Sequence, residues 1–183
     1  MEKTFKIQKV LMVAAILAVV TTFIYSLYFM TDYALLGVFD NERYNGAIIN
    51  FHDGMQSLNF TTFYVAIAGF VLVASLVGLQ CYRKVCDKIA MIAIGVLSTV
   101  QVGGILYSVL QITGLRDLYT DPTFLDNVYK EQVSSWTYNL NVTTLNAGLI
   151  IYPIVITIFI GLIAITIFNH FKFLKQNVGE NNG

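Results

Sequence analysis

Little in this sequence carries charge. Asp, Glu, Lys and Arg make up 12% of it, about half the share of a soluble domain. Basic and acidic residues are equal at 11 each. No basic surplus exists for a phosphate backbone, which argues against nucleic-acid binding. Cysteine occurs only as Cys81 and Cys86, too few for a secreted disulfide scaffold. Their Cys-x4-Cys spacing has no further ligands nearby for zinc and fits two inert or lipid-modified thiols. There is no nucleotide-binding loop, nucleophile elbow, zinc-protease motif or pair of intramembrane acids. No cofactor or metal is implied, and the chain is expected not to be an enzyme.

What is abundant is apolar surface. Hydrophobic residues reach 56% and the mean hydropathy is +0.67, which excludes a disordered chain. Four runs, at about residues 10–31, 60–81, 89–112 and 145–168, contain no Asp, Glu, Lys, Arg or His. Crossing a bilayer takes roughly 20 such residues. Lipid offers no partner to a free backbone N–H or C=O, so the spans must be helices. The predicted fold is an all-α integral membrane four-helix bundle, one domain over residues 1–183. Segments 32–59 and 113–144 form its outer parts. Lys3, Lys6 and Lys9 precede the first run as in a signal peptide. That run continues to Met30 with no cleavage pattern, so it reads as a retained anchor.

Eight basic residues lie in the N-terminus, the 82–88 turn and the C-terminal tail. Arg43, Arg116 and Lys130 lie in the two longer connections. This asymmetry predicts cytoplasmic termini. The acids mirror it, so zero net charge divides into about +5 inside and −5 outside. With no outer disulfides, a bacterial plasma membrane is favoured.

The two halves resemble each other. Tyr25-Ser26, Asp32, Phe39-Asp40-Asn41 and Leu58-Asn59-Phe60-Thr61-Thr62 recur in order. Their counterparts are Tyr107-Ser108, Asp117, Phe124-Leu125-Asp126-Asn127 and Leu140-Asn141-Val142-Thr143-Thr144. Duplicated helical hairpins would be related by an axis along the membrane normal. In the outer segments, Leu125, Tyr129, Val133, Trp136 and Leu140 share one helical face, with Asp121 as N-cap and Pro122 at the first helical position. Tyr44, Ala47, Ile48, Phe51, Met55 and Leu58 form a similar stripe, weakened by Gly46 and Gly54. These segments either lie in the outer interface as amphipathic helices or extend the spans outward as a small cap.

Small residues let membrane helices approach. Gly95, Thr99 and Gly103 recur at intervals of four in the third run, as do Ala14, Ala18, Thr22 and Ser26 in the first. The direct reading is packing within the bundle; the other is a face for a second copy or another membrane subunit. Pro153 is expected to weaken the fourth helix near Leu149. Gln101 is the most polar mid-span residue, and its amide is expected inside, bonded to Thr21, Thr22 or Ser26.

His52 and His170 fall on opposite sides of the membrane. His52 and Asp53, with Asp40 and Glu42, or the set Asp117, Asp121 and Asp126, invite a cation site outside, but no compact loop motif supplies the oxygens that calcium needs, and they read as a solvated acidic surface. Asn59 and Asn141 begin formal glycosylation sequons too close to the membrane for access.

By elimination the expected function is that of an accessory, assembly or sensory subunit of a membrane complex, working through protein contacts within membrane lipid. The alternative is a passive, oligomeric pore for small molecules lined by Thr22, Ser26, Thr99 and Gln101. A third is a lipid-modifying enzyme at the outer interface using His52 and Asp53.

Overall fold

A computed structural model of the chain describes residues 2–33, 46–81, 88–124 and 135–180. They form five helices: α1 (Glu2–Tyr33), α2 (Gly46–Cys81), α3 (Lys88–Thr120), the short α4 (Pro122–Phe124) and α5 (Ser135–Glu180). The four long ones each contain a stretch able to cross a membrane: Lys3–Leu27, Asp53–Gly78, Met91–Thr120 and Val142–Lys175. At 1.5 Å per residue even the shortest, α1, is about 48 Å long against roughly 30 Å of hydrocarbon, so all of them overshoot the bilayer.

The long helices pack as a ring, α1 on α2, α2 on α3, α3 on α5 and α5 on α1. Neighbours are antiparallel. Leu11 lies over Gly161 and Tyr25 over Gly148, while Val65 lies over Gly104 and Leu115 over Gly54. Both chain ends therefore lie at one end of the bundle, called here the terminal end, and the long connections at the other, the loop end.

Apart from Ala18, Tyr25, Asn59, Ala66 and His170, the buried positions alternate in steps of three and four along every long helix. On α1 they are 8, 12, 15, 19, 22 and 26, and on α2 they are 51, 55, 58, 62, 65, 69, 72 and 76. On α3 they are 94, 98, 101, 105, 108, 112, 115 and 119, and on α5 they are 145, 148, 152, 155, 159, 162, 166 and 169. A 3.5-residue period keeps one seam of each helix facing its neighbours through a left-handed supercoil, with crossing angles near +20°. The opposite faces are apolar as well. Val10, Leu17 and Ile24 on α1 are 67%, 62% and 62% exposed. A helix apolar on both faces belongs where lipid is the solvent.

Where the outer segments are described, they extend the spans and form a cap. Phe51, Met55 and Leu58 of α2 are buried. Phe51 stacks on Tyr119 of α3, ring centroids 4.4 Å apart, and Phe124 of α4 closes against both at 5.8 and 5.3 Å. An interfacial helix would leave this stripe to lipid; here α3 and α4 give it a protein partner. Gly54 belongs to that contact, since a Cβ there would lie 2.5 Å from Leu115 Cδ2. Of the second stripe, Leu125, Tyr129 and Val133 lie outside the described residues. α5 runs unbroken through Pro153, and Thr157 Oγ1 donates to the Pro153 carbonyl at 2.8 Å.

Asp121 caps α4 as its sequence position predicts. Its Oδ1 accepts the backbone N–H of Thr123 at 2.7 Å and of Phe124 at 3.4 Å, and these bonds hold its carboxyl below the usual carboxylate range. A depressed pKa means the cap is fully formed above the ordinary carboxylate pKa and is lost as pH falls through the lowered one. Asp121→Ala is expected to speed amide exchange at Thr123 and Phe124 without shifting global unfolding. Acid is expected to do the same to the unmodified chain, and amide exchange followed against pH checks both.

Candidate functional site

Polar side chains occupy core positions of the seam, and their spacing sorts them into levels. At mid-bundle Gln101 of α3, Gly69 of α2 and Val19 of α1 meet. A Cβ on Gly69 would fall 2.7 Å from Val19 and 2.9 Å from Gln101 Nε2. The amide thus occupies the space that a glycine leaves open. Ser98 lies one turn away on the same seam, fully buried.

Seven residues toward the loop end, about 10 Å along each helix, come Ser26, Thr62 and Ser108, one from each of α1, α2 and α3, all with no exposed surface. There Tyr152 of α5 meets Tyr25 edge to face at 5.6 Å. The loop-end half of the interior is therefore lined with hydroxyls. The terminal-end half is filled by Leu72, Leu76, Ile94, Phe159 and Leu162.

Most of these hydroxyls are spent locally. Thr22 donates to the Ala18 carbonyl at 2.9 Å, Ser26 to Phe23 at 2.7 Å, Thr62 to Asn59 at 3.0 Å and Ser108 to Gly104 at 3.0 Å. A carbonyl one turn back is always within reach, so the intrahelical bond wins over one across the bundle. This overturns the expected partners of Gln101. Thr22 and Ser26 bond within α1, and Thr21 points outward and bonds Leu17 at 2.9 Å. Neither atom of the Gln101 amide has a partner, and Ser98 Oγ and Tyr152 Oη are also unpartnered. A buried amide without a partner costs roughly 1–3 kcal/mol. Gln101→Leu, close in volume, is accordingly expected to raise stability by about 1 kcal/mol, read as a higher melting temperature in detergent.

The polar contacts that do cross between helices lie elsewhere. Tyr25 Oη donates to the Thr144 carbonyl at 2.9 Å. Arg116 Nε donates to Asn146 Oδ1 at 2.7 Å, joining α3 to α5 near the loop end. At the terminal end Asn169 Nδ2 donates to Gln8 Oε1 at 2.6 Å, Gln8 Nε2 to Thr166 Oγ1 at 3.4 Å, and Thr166 Oγ1 to the Leu162 carbonyl at 2.7 Å. Reading the sequence for ionisable groups missed this seam. Its signal is present all the same, since Gln8 falls in the three-four series with Met12, Ala15, Val19, Thr22 and Ser26.

The small-residue series divides. Ala18, Thr22 and Ser26 are buried as expected. Gly95 and Gly103 face open space, with nothing within 4 Å of an added Cβ. Thr99 between them is exposed and bonds the Gly95 carbonyl at 2.8 Å. The expected packing of Gly95, Thr99 and Gly103 within the bundle is therefore corrected, and Thr99 cannot line its interior. The α3 seam runs through Ile94, Ser98, Gln101 and Ile105, and Gly95, Thr99 and Gly103 fall out of phase with it. The glycines that do bring helices together are Gly54, Gly69, Gly104 and Gly148.

The outer acidic residues form no compact site where they can be seen. Asp53 and Asp117 are exposed. Asp117 lies 3.9 Å from the neighbouring Arg116 on the surface, a contact worth little. Asp40, Glu42 and Asp126 lie outside the described residues, as does the His52 side chain. Among the described residues no three His, Cys, Asp or Glu side chains gather as metal ligands. Asn59 is 5% exposed inside α2, closed to a glycosylating enzyme. Compared with protein-family models, curated proteins and solved structures, the chain matches none.

Proposed function

We propose that this chain is a non-enzymatic subunit of a membrane complex, with an accessory, assembly or sensory role, and that it binds a transmembrane helix of a partner protein along α3. The observation that carries this reading is the outward face of Gly95, Thr99 and Gly103, continued by Gly114, which nothing in the bundle covers. Its backbone is open to close approach and its one hydroxyl is satisfied within α3. A surface of this shape gains dispersion contacts from a helix that lipid tails cannot reproduce. The runs 10–31, 60–81, 89–112 and 145–168 hold no Asp, Glu, Lys, Arg or His, the usual mark of ion coupling and proton relays.

The basic asymmetry supports cytoplasmic termini, and the lack of outer disulfides supports a bacterial plasma membrane. Two features support a duplicated hairpin. The ring puts α1 opposite α3 and α2 opposite α5, as an axis along the membrane normal requires. Ser26 and Ser108 also sit alike on their seams. Tyr25 and Tyr107 have diverged, the first buried and the second 55% exposed.

The test is purification of the tagged chain in mild detergent beside Gly103→Leu. The expected result is a stoichiometric unrelated partner with the unmodified chain, at least tenfold less of it with Gly103→Leu, and no change in the melting temperature of the subunit alone. A monomer or a pure homo-oligomer overturns the reading.

A second reading, passage or binding of a small neutral molecule, draws on the unpartnered Gln101 and Ser98 and the hydroxyls above them. Against it stand the outward Thr99 and the apolar side chains that close the terminal half. In that reading Gln101→Leu abolishes flux through liposomes; in the first it leaves partner binding intact.

A further inference from the structure

The outward faces of α1 and α5 change character at the same height. On α1 the series Lys3, Lys6, Ile7, Val10 follows one helical face, at i, i+3, i+4 and i+7. On α5 the same spacing, read in the opposite direction, gives Phe168, Phe171, Lys172, Lys175. Ile7, Val10, Phe168 and Phe171 are 45%, 67%, 54% and 57% exposed. Lys3, Lys6 and Lys175 are exposed and Lys172 half-buried.

The Gln8–Asn169 bond fixes the two helices to each other at this level. Apolar side chains of both helices thus lie just toward mid-bundle of it, and lysines of both just beyond. Lys9 adds a further exposed charge on α1, and at this end the two helices carry five lysines, Lys3, Lys6, Lys9, Lys172 and Lys175, against Glu2 and Glu180.

Such an edge matches one molecule in both its parts. Acyl chains can lie along the aliphatic and phenyl groups, and lysines on flexible stems can reach a phosphate at the membrane surface. We propose that the α1–α5 edge at the terminal end is a binding site for an anionic phospholipid. Its chains lie against Ile7, Val10, Phe168 and Phe171, and its headgroup among the lysines of both helices. The net negative charge of the headgroup supplies the selectivity over a zwitterionic lipid. The clamp between Gln8 and Asn169 makes the edge one surface shared by two helices.

The test uses the purified full chain in neutral detergent. Phosphatidylglycerol, phosphatidylcholine or inorganic phosphate is added, and lipid retention is read by native mass spectrometry together with the melting temperature. Phosphatidylglycerol is expected to be retained and to raise the melting temperature saturably, with phosphatidylcholine at least tenfold weaker and inorganic phosphate without effect. Lys3→Gln/Lys6→Gln/Lys172→Gln/Lys175→Gln is expected to bind phosphatidylglycerol at least tenfold more weakly. The corresponding arginine replacements are expected to bind as the unmodified chain does, and so is Arg83→Gln/Lys84→Gln, whose charges belong to the turn between α2 and α3. Equal retention of both lipids overturns the proposal. So does an equal effect of inorganic phosphate, retention by the four-glutamine variant, or an equal loss with Arg83→Gln/Lys84→Gln.

Discussion

Gly148→Ala is expected to lower stability by about 2 kcal/mol, although alanine is the better helix former. At this position of α5 an added Cβ meets the Tyr25 hydroxyl and lies 2.8 Å from Ile112 Cδ1. The isoleucine tip can rotate away. Tyr25 cannot do so at little cost, because its ring is wedged against Tyr152 and its hydroxyl donates to Thr144. Displacing it breaks a bond between α1 and α5. Intrinsic propensity works the other way, favouring alanine over glycine by up to about 1 kcal/mol. Gly103→Ala, Gly95→Ala and Gly114→Ala, all facing open space, measure that gain alone. Melting of the four variants in one detergent therefore gives a change of sign, with Gly148→Ala down and the other three level or up. A neutral Gly148→Ala would mean that the Tyr25 contact does not hold α1 to α5.

The second large effect is at Asn169. Asn169→Leu removes the donor to Gln8 Oε1, and Gln8 is 3% exposed. The expected loss is about 2 kcal/mol, most of it from the stranded oxygen rather than from the bond itself. Gln8→Leu is expected to lose a similar amount. Gln8→Leu/Asn169→Leu, with apolar groups on both sides, is expected to regain most of it. The coupling from the double-mutant cycle is expected near 1 kcal/mol, within the span of interhelical hydrogen bonds measured in membranes. Additive losses would show that the two amides do not share a bond. Polar residues at seam positions of coiled coils fix register. Here the register fixed is that between α1 and α5, helices joined by no short connection.

The helices were legible because charge-free runs of this length have only one way to satisfy their backbone in lipid. The seam was harder to read. It is usually marked by contrast between an apolar and a polar face, and here Val10, Leu17 and Ile24 outside are as apolar as Met12 and Val19 inside. The contrast that remains is inverted. The seam is where the polar and small residues fall, as Gln8, Thr22 and Ser26 on α1 and Ser98, Gln101 and Ser108 on α3 illustrate. Gln101 was placed correctly inside by the cost of an amide in lipid, but its partners were not. A sequence gives no way to see that Thr22 and Ser26 are committed to their own carbonyls. Gly95, Thr99 and Gly103 misled because small residues at intervals of four mark a face without saying which one; the seam of α3 runs instead through Ile94, Ser98, Gln101 and Ile105. Gly148 carried no signal at all, because the tyrosine that requires it is on another helix.

The bond between Gln8 and Asn169 joins positions 161 residues apart. During synthesis α1 emerges first, and the Gln8 amide then waits at the terminal edge of the membrane while α2, α3 and nearly all of α5 are made. Until α5 arrives, α1 has α2 for a neighbour and nothing to answer its side-chain amide. The last step of assembly is thus also the one that gives the Gln8 amide its partner in α5. A chain halted before residue 169 keeps that group on display, which gives the surveillance proteases of a membrane a chemical difference between an unfinished copy and a finished one.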